Sequence, residues 1–260
     1  MAYFKIIMPN YNNAAWLKKS IPSILNQTFK DFILIIIDDV STDNSVNIIK
    51  DYAAKDDRII FYENTSKKWN GGSRNIGINH QCESEYTLFL DSDDWYNDNA
   101  CLQTIYDTIQ NNFSPDCLSL SYDCLVGDNR SYQFMNRNNR KELVESLYVA
   151  CWTKCIKSNL LQLFPENTLM EDVVQHIKQS DVINTVVTVD KAIVTWNRNN
   201  TNSCSRTENQ NLQQGKWQSS MYRYAADLMD FTCKNKECED HRLWRLQIAL
   251  NNIKDGKYIQ

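Results

Sequence analysis

The sequence predicts an α/β fold: a Rossmann-like, mostly parallel sheet flanked by helices, with a helical C-terminal appendage. Three observations support this fold class. In the first half of the 260-residue chain, short apolar runs alternate with segments of helical periodicity. Polar residues follow directly after several of these runs, and ligands of open α/β sheets bind where strands end. From Glu208 onward the apolar residues recur at helical spacing. Such alternation is typical of a mostly parallel sheet covered by helices.

The first half divides into five predicted strands and four predicted helices. Phe32 to Ile37 is a continuous apolar run rich in isoleucine, which is the pattern of a buried strand. The second helix follows Ser41, Thr42 and Asp43, any of which could cap it. The strands are predicted at residues 3–8, 32–37, 58–62, 86–90 and 117–126. The helices are predicted at residues 14–27, 44–55, 73–79 and 99–111.

The second half of the chain is less regular. Its predicted elements are a polar loop at 127–140, a helix at 141–149, a segment at 152–157, a helix from about Met170, a strand at 185–196 and a helical tail from Glu208 with a break near 234–240. In the tail, Leu243, Leu246, Leu250 and Ile253 recur at helical spacing. We expect this stripe to pack onto the rest of the chain. Contact with a membrane surface and self-association are the alternatives.

Composition narrows the function classes. The net charge of −4 and the pI near 5.5 do not favour nucleic-acid binding, which needs a basic face. The longest apolar run, 32–37, is too short to cross a bilayer, and the N-terminus does not have the pattern of a secretory signal. Nine cysteines are an odd number, which favours reduced thiols. The composition therefore predicts a cytoplasmic protein, either free or peripheral to the membrane.

The most informative motif is Leu-Phe-Leu-Asp-Ser-Asp-Asp-Trp at residues 88–95. An apolar strand runs directly into three carboxylates, and the Asp-X-Asp spacing of Asp91 and Asp93 puts both on one face of an extended segment. Carboxylates crowded together repel unless a cation neutralises them, and oxygen ligands suit Mg²⁺ or Mn²⁺. The motif therefore predicts a divalent-cation site. The alternative is that the acids only stabilise the N-terminus of the next helix.

Three other predicted strand ends carry polar residues. Pro9 to Asn12 follow the first strand, Asp38 to Asp43 the second, and Asn70 to Asn75 the third. In a parallel sheet all of these fall on the edge that carries the aspartates. Four polar strand ends at one edge favour a binding site over mere solubility.

The residue types at this edge suit a nucleotide diphosphate. Tyr11 offers a flat face on which a base could stack. Asp39 could accept hydrogen bonds from a uracil imide or from ribose hydroxyls. The glycines at 71 and 72 would allow close backbone approach, and Arg74 could pair with a phosphate. Each residue has a structural alternative: a core aromatic, a helix cap, a plain turn and a surface charge. Together these alternatives are improbable.

At this point the sequence resembles the inverting family-2 glycosyltransferases of the GT-A fold. The resemblance is carried by six ordered motifs over about residues 3–200. They are Ile-Met-Pro-Asn-Tyr-Asn (7–12), Ser-Ile-Leu-Asn-Gln-Thr-Phe (23–29), Ile-Asp-Asp-Val-Ser-Thr-Asp-Asn-Ser (37–45), Gly-Ser-Arg-Asn-Ile-Gly (72–77), Leu-Asp-Ser-Asp-Asp-Trp (90–95) and Trp-Thr-Lys (152–154). The number and order of these motifs make the match stronger than a lone signature.

The resemblance implies a role for each candidate residue. The expected nucleotide-binding residues are Pro9, Tyr11, Asn12, Asp39, Ser41, Arg74, Asp91 and Ser92. Tyr11 and Asp39 would hold the base. Asp91 and Asp93 would lie at the ribose and at a bound Mn²⁺ or Mg²⁺. Asp172 would be the general base, with Glu171 as its partner in a Glu-Asp pair, although two acids at a helix N-terminus are also a common structural feature.

The resemblance implies metal-dependent, inverting transfer of a hexosyl or N-acetylhexosaminyl unit. The donor would be a nucleotide-diphospho-sugar, expected to be a UDP-sugar. The acceptor would be a hydroxyl of a glycan or glycoconjugate, as in polysaccharide biosynthesis. The catalytic domain is expected to span 1–205, with a nucleotide-sugar half at 1–126 and an acceptor half at 127–205. Residues 206–260 would form the helical region. Two competing hypotheses are a sugar-phosphate nucleotidyltransferase, which would be expected to carry a basic glycine-rich loop after the first strand, and a catalytically inactive nucleotide- or glycan-binding module.

The chain departs from the family pattern at three points. Val40 stands where glycine is common, and a β-branched residue would be strained if this position needs a positive φ. The Gln-x-x-Arg-Trp motif of processive synthases is absent, which disfavours a membrane-embedded polymer synthase. The segment 196–203 offers asparagines where some relatives carry a metal-binding histidine, so fewer protein ligands are expected at the cation.

Overall fold

The computed structural model describes residues 1–146, 149–166, 168, 170–201, 203 and 214–255, with the backbone alone for 214–221 and 255. Within these residues the strands are β1 (Ala2–Asn10), β2 (Phe32–Asp38), β3 (Ile59–Glu63), β4 (Ser84–Phe89), β5 (Trp95–Tyr96), β6 (Cys117–Val126), β7 (Asn129–Gln133), β8 (Lys154–Lys157) and β9 (Val186–Asn197). The helices are α1 (Ala14–Leu25), α2 (Ser45–Ala53), α3 (Trp69–Ile78), α4 (Cys101–Asn111), α5 (Arg140–Glu145), α6 (Glu171–Val182), α7 (Gln214–Met229) and α8 (Lys236–Asp255), with short 3₁₀ helices at Cys151–Thr153 and Ser158–Leu160.

The strands form one sheet in the order β3-β2-β1-β4-β8-β6-β9-β5, with β7 paired to β6. The first four strands in this order are all parallel. Beyond them β8 runs antiparallel to both β4 and β6, whereas β9 is parallel to β6. The α/β fold class is therefore confirmed. Parallel pairing dominates the first half, and the second half of the sheet is mixed.

The core explains why the first half folds as its pattern predicts. β1 and β2 are apolar on both faces, and residues such as Ile6, Ile7, Leu34 and Ile36 are fully buried. Helices cover both faces of such a sheet, so nearly every side chain of these strands is removed from water. Because the two strands are parallel and in register from Phe4 opposite Phe32 to Asn10 opposite Asp38, their polar ends meet at one edge.

Several local predictions need correction. Helix α3 begins at Trp69 rather than residue 73, so the glycines at 71 and 72 lie inside a helix and not in a turn. The N-cap of α2 is Asn44 rather than one of the three residues before it, although Asp43 accepts the backbone N–H of Ser45 at 2.9 Å. The polar segment predicted as a loop contains the hairpin strand β7, and the short strand β5 was not predicted at all.

The C-terminal helices pack against α6. A separate apolar cluster joins Val173, Val174 and Ile177 of α6 to Tyr224, Ala225 and Leu228 of α7 and Ala249 of α8, with Leu246 and Ile253 at its margin. Half of the predicted stripe thus packs within the chain, whereas Leu243 and Leu250 are exposed. The predicted start of the tail near Glu208, and residues 147–148 of the predicted helix at 141–149, lie outside the described residues. Among the helices that the structure describes, none has the length and apolarity needed to cross a membrane.

Candidate active site

The candidate site lies where β1, β2 and β4 end. Three of the four polar segments singled out from the sequence directly follow these parallel strands, and α3 and the start of α6 lie beside them. The site therefore combines residues from five elements. Several of its polar side chains, Asp39, Arg74 and Glu171 among them, are buried, and hydrogen bonds hold them in place.

Asp39 organises the loop that precedes α3. Its carboxylate, almost fully buried, accepts the backbone N–H groups of Lys68 (2.6 Å) and Trp69 (2.9 Å) and the amide of Asn64 (3.0 Å). Lys67 lies 3.3 Å from the same carboxylate. Asp39 therefore shapes the segment 64–69 that leads into α3, and any nucleotide contact it makes would add to this structural work.

Tyr11 lies just beyond β1 and is 45% exposed. The ammonium nitrogen of Lys67 lies over its ring, 2.8 Å from the centroid. This cation–π contact covers one face of the ring that is expected to stack on the base. Lys67 thus connects Tyr11 to Asp39, the two residues expected to hold the base.

Val40 adopts a φ of 65°, in the left-handed region. The strain expected from the sequence is therefore present. A hydrogen-bond network around this turn holds the conformation: the Ser41 hydroxyl donates to Asp38 (2.6 Å) and accepts the backbone N–H of Asn12 (2.9 Å). The side chain of Asn12, itself at φ 52°, accepts the backbone N–H of Thr42 at 2.7 Å. Asn12 and Ser41 thus fasten the end of β1 to the turn after β2.

Arg74 is the centre of the site. Its side chain is 1% exposed and makes three ion pairs: Nη2 to Asp91 (2.8 Å), Nη1 to Glu171 (3.0 Å) and Nη1 to Asp172 (3.3 Å). The guanidinium also lies 5.2 Å from the ring centroid of Phe164. One buried cation therefore joins the end of β4 to the N-terminus of α6.

Helix α3 approaches the loop before α6 closely. A Cβ added at Gly71 would lie 2.4 Å from the carbonyl oxygen of Pro165, so the position has no space for a side chain. One turn later, the Asn75 amide donates to the carbonyl of Phe164 and accepts its N–H, both at 2.9 Å. The two residues hold this loop against α3.

The aspartates after β4 have separate environments. Asp91 faces Arg74. Asp93 accepts a hydrogen bond from the Asn200 amide at 2.7 Å, and the same amide donates to Asn13 at 3.0 Å. Asp94 is buried and accepts the backbone N–H of Asn197 at 2.8 Å, which fixes the end of β9. Asp94 is therefore a structural residue, whereas Asp91 and Asp93 are only partly buried.

The donor set fits a hard divalent cation with few protein ligands. Burial and the neighbouring negative charge of Asp91 raise the pKa of Asp93 to about 6, and such crowding is relieved by a cation. Both groups are carboxylate oxygens, which suit Mg²⁺ and Mn²⁺. Among the described residues no cluster of three His, Cys, Asp or Glu side chains could hold a metal ion. Oxygens of a diphosphate and water would have to complete the coordination.

The acids at the start of α6 differ in exposure. The Glu171 side chain is 10% exposed and that of Asp172 is 27% exposed. Burial and the neighbouring Asp172 raise the pKa of Glu171 to about 7, against the opposing charge of Arg74. Burial also raises the pKa of Asp172, again opposed by Arg74. Asp172 is thus the more solvent-accessible acid of the pair.

Buried basic groups lie close to these acids. Burial and the charge of Arg137 lower the pKa of Lys154 to about 8, and Lys154 donates to the backbone carbonyls of Val149 (2.9 Å) and Ala150 (3.1 Å). His176, one turn along α6 from Asp172, is fully buried. Burial, together with Lys154, Arg137 and His241, lowers its pKa well below the usual range.

Four of the predicted site residues lie together: Arg74 contacts Asp91, Glu171 and Asp172. Pro9 is buried within β1 opposite Ile37, and the Ser92 hydroxyl accepts the amide of Asn13 at 2.8 Å. Sequence reasoning missed three residues that contact the predicted set: Asn13, Lys67 and Asn200. Asn13 belongs to the polar run after β1 and Asn200 to the asparagine-rich segment, so the sequence pattern could have indicated both. No sequence pattern indicated Lys67.

Comparison with known proteins identifies the family. The sequence model of Glycosyl transferase family 2 matches residues 5–156, more than half of the chain. An uncharacterized glycosyltransferase of Haemophilus influenzae is 40% identical over 95 residues, which are 36% of this chain and 38% of that protein. The matched segments cover only 25% and 30% of the next two curated relatives.

Solved structures share the fold. Staphylococcus aureus TarS 1-349 in complex with UDP-GlcNAc superposes with a TM-score of 0.73 at 21% identity, covering 98% of this chain and 73% of TarS 1-349. The mannosyltransferase PcManGT from Pyrobaculum calidifontis, in complex with GDP-Man and Mn²⁺, gives a TM-score of 0.67 at 13% identity, with 98% and 75% covered. These likenesses confirm the GT-A fold. With the match over residues 5–156, the chain belongs to glycosyl transferase family 2.

Proposed function

We propose that this chain transfers a hexosyl or N-acetylhexosaminyl unit from a UDP-sugar to a hydroxyl of a glycan or glycoconjugate, with inversion and with a divalent cation. One observation carries the proposal: the buried Arg74 guanidinium contacts Asp91 on one side and Asp172 on the other. A donor diphosphate near Asp91 and an acceptor hydroxyl near Asp172 would then be neighbours. We assign catalysis to residues 1–205 and treat 206–260 as a helical region.

The nucleotide is assigned to the ends of β1 and β2. Tyr11 would stack on the base once Lys67 moves off its ring, and Asp39 would accept hydrogen bonds from the base or ribose. TarS binds UDP-GlcNAc, which supports a UDP-sugar, whereas the GDP-Man complex of PcManGT makes GDP the other nucleotide to test. Pro9, Asn12, Ser41 and Ser92 would shape the pocket through the contacts described above.

Asp91 and Asp93 would hold Mn²⁺ or Mg²⁺, as the Mn²⁺ complex of PcManGT supports. A bound cation would supply positive charge where the diphosphate leaving group becomes more negative. Arg74 would add to this charge from the protein side. Because it is already buried among carboxylates, it is pre-positioned and needs little reorganisation during the reaction.

Asp172 is proposed as the general base. An acceptor hydroxyl would attack the anomeric carbon from the side opposite the leaving diphosphate, and its proton would pass to the carboxylate oxygen of Asp172. Attack from the opposite face in a single step inverts the anomeric configuration. Glu171 would hold Arg74, and through it Asp172, in place.

Two alternatives remain distinguishable by experiment. A sugar-phosphate nucleotidyltransferase would release pyrophosphate from a nucleoside triphosphate. An inactive module would bind a nucleotide or a glycan but transfer nothing. The run after β1, Pro-Asn-Tyr-Asn-Asn, does not have the basic glycine-rich composition expected of the first alternative.

The test combines activity with binding. Incubation with a panel of UDP- and GDP-sugars and Mn²⁺ should release the matching nucleoside diphosphate from a UDP-sugar, and NMR of the transfer product should show the inverted anomer. In calorimetry, UDP affinity should fall in chelator and in Asp93→Ala. Asp107→Ala, which removes an exposed acid on α4, is the matched control and should bind as wild type does. Unchanged UDP affinity in chelator would remove the metal assignment, and pyrophosphate release from UTP would favour the nucleotidyltransferase.

A further inference from the structure

A groove of about 340 Å³ lies at the other end of the sheet from the candidate active site. It is formed by the connection from α4 to β6 and by the connection from α6 to β9, with Asn138 and Asn139 beside them. Both connections lead into the N-terminal ends of their strands. Since β6 is antiparallel to β8 and β8 is antiparallel to β4, the start of β6 lies opposite the edge that carries the aspartates.

The chemistry of this groove is neutral and rich in amides. Its lining includes five asparagines, at 111, 112, 138, 139 and 184, together with Thr185. Within the described residues no charged side chain lines it. The nearby charges of Asp116 and Arg140 are already engaged: Asp116 accepts the N–H groups of Asn184 and Thr185, and Arg140 donates to the carbonyl of Ile183.

Several of the amide groups are available to a ligand. In the part of the chain that the structure describes, the Asn111 side chain makes no hydrogen bond. Asn139 and Asn184 use only their side-chain oxygens, which leaves their NH₂ groups as donors. Each amide can donate two hydrogen bonds and accept two. Such groups match the hydroxyls of a sugar, which both donate and accept.

The groove also presents an aromatic ring that the fold does not use. Phe113 is 98% exposed, and it and Ser114 have φ values of 57° and 56°, in the left-handed region that non-glycine residues rarely adopt. A non-glycine backbone held in the left-handed region costs free energy, and such strain is concentrated at binding and active sites. A sugar ring has one face of C–H groups that packs on an aromatic ring, and its hydroxyl edge would then reach the asparagine amides.

We propose that this groove binds a short segment of a neutral glycan, at a site separate from the transfer site. Its volume is at the small end of the range for small-molecule sites, which suits one or a few sugar units. The absence of charge among the described lining residues selects against phosphorylated or carboxylated sugars. Glycan binding here does not depend on the transfer reaction proposed above.

The test uses three neutral trisaccharides as probes: β-1,4-linked glucose, α-1,4-linked glucose and β-1,4-linked N-acetylglucosamine. Saturation-transfer NMR on the full chain should detect at least one of them. Phe113→Ala should weaken that binding about tenfold or more, and Asn111→Ala should weaken it by a smaller factor. Phe113 is so exposed that its loss should leave the thermal unfolding transition in place.

Tyr222→Ala is the matched control, since Tyr222 is an exposed aromatic residue on α7 and is not among the described residues that line the groove. It should bind the trisaccharide as wild type does. UDP calorimetry on each variant reports the donor site separately, so a failure of the proposed function would be seen there. The proposal is overturned if none of the three probes binds, if Phe113→Ala binds the same probe equally well, or if Tyr222→Ala weakens binding as much as Phe113→Ala.

Discussion

Replacing Asp172 by asparagine should lower the rate of sugar transfer by roughly 10²- to 10⁴-fold while leaving donor affinity and the fold almost unchanged. The substitution keeps the size of the side chain and removes the carboxylate that is proposed to accept the proton. Asp172 is the more exposed acid of its pair, with 27% of its side chain accessible, which is why the proposed mechanism assigns the base to it. A general base acts on the acceptor and barely contacts the donor.

The expected loss of rate follows from the loss of the base, and the expected loss of stability follows from the contacts of Arg74. Loss of proton abstraction lowers the rate by roughly 10²- to 10⁴-fold. Stability should change by about 1 kcal/mol or less, because the lost ion pair is partly exposed. It is also the longest of the three at 3.3 Å, and Arg74 keeps Asp91 and Glu171.

Glu171→Gln is the matched comparison. Its side chain is only 10% exposed and its contact with Arg74 is 0.3 Å shorter, 3.0 against 3.3 Å, so its substitution should affect stability more and the rate less. A cost of about 1–3 kcal/mol is typical when a buried charged hydrogen bond is weakened. The two variants should therefore distinguish the catalytic role proposed for Asp172 from the structural role proposed for Glu171.

The assay measures kcat, UDP affinity and urea denaturation for wild type and both variants. The kcat/KM of wild type should rise with pH, since the base works only when deprotonated and burial raises its pKa. Near wild-type transfer by Asp172→Asn with an inactive Glu171→Gln would reverse the two roles. If both variants stay active, the base lies outside this pair and the mechanism is wrong.

Three further predictions concern stability. Val40→Gly should raise the free energy of unfolding by about 1 kcal/mol in urea denaturation, because it relieves the left-handed β-branched residue. Gly71→Ala should lower it by about 1–3 kcal/mol, since the new Cβ would meet a backbone oxygen at 2.4 Å. His176, whose pKa is depressed in the fold, stays neutral there, whereas in the unfolded chain it is protonated below about pH 6.5. Its stability contribution is therefore present above pH 6.5 and lost below it, by about 1.4 kcal/mol per pH unit for this residue, and His176→Leu should remove that part of the slope. His241, whose pKa burial lowers to about 4, should keep a second part of the slope in the variant.

Each of these has a clear contradiction. Val40→Gly of equal or lower stability would mean that the turn is not strained. Gly71→Ala with wild-type stability and activity would mean that the loop before α6 moves freely. An unchanged pH slope below pH 6.5 in His176→Leu would assign the acid sensitivity to other groups, His241 among them.

The sequence predicted those features of the structure that depend on residues close together in the chain. The run at Phe32 to Ile37 is a strand because isoleucine-rich segments bounded by aspartates have few other stable arrangements, and β2 covers it within one residue. The strain at Val40 was also foreseeable, since it depends on one residue type in one turn. For the same reason the aspartates at the end of β4 are recognisable from the residue pattern alone.

Long-range contacts were not predictable in the same way. Nothing near Arg74 in sequence indicates that it meets Glu171, 97 residues later. The mixed pairing of β8 with β4 and β6 depends on tertiary packing of a four-residue segment that is too short to show a pattern. Helix α3 begins earlier than predicted because Asp39, distant in sequence, accepts the backbone N–H groups that open it. Contacts of this kind become visible only once the whole chain has folded, because the partners are far apart in sequence.

The contact between Asn75 and Phe164 has a consequence for substitutions in the loop. The asparagine amide binds the main-chain N–H and C=O of Phe164 rather than its ring. These atoms are the same for any residue except proline, which has no N–H. The side chain at that position can therefore change, proline excepted, without removing the two hydrogen bonds that hold the loop to α3. Asn75, rather than the side chain at position 164, is thus the residue whose replacement would remove this attachment.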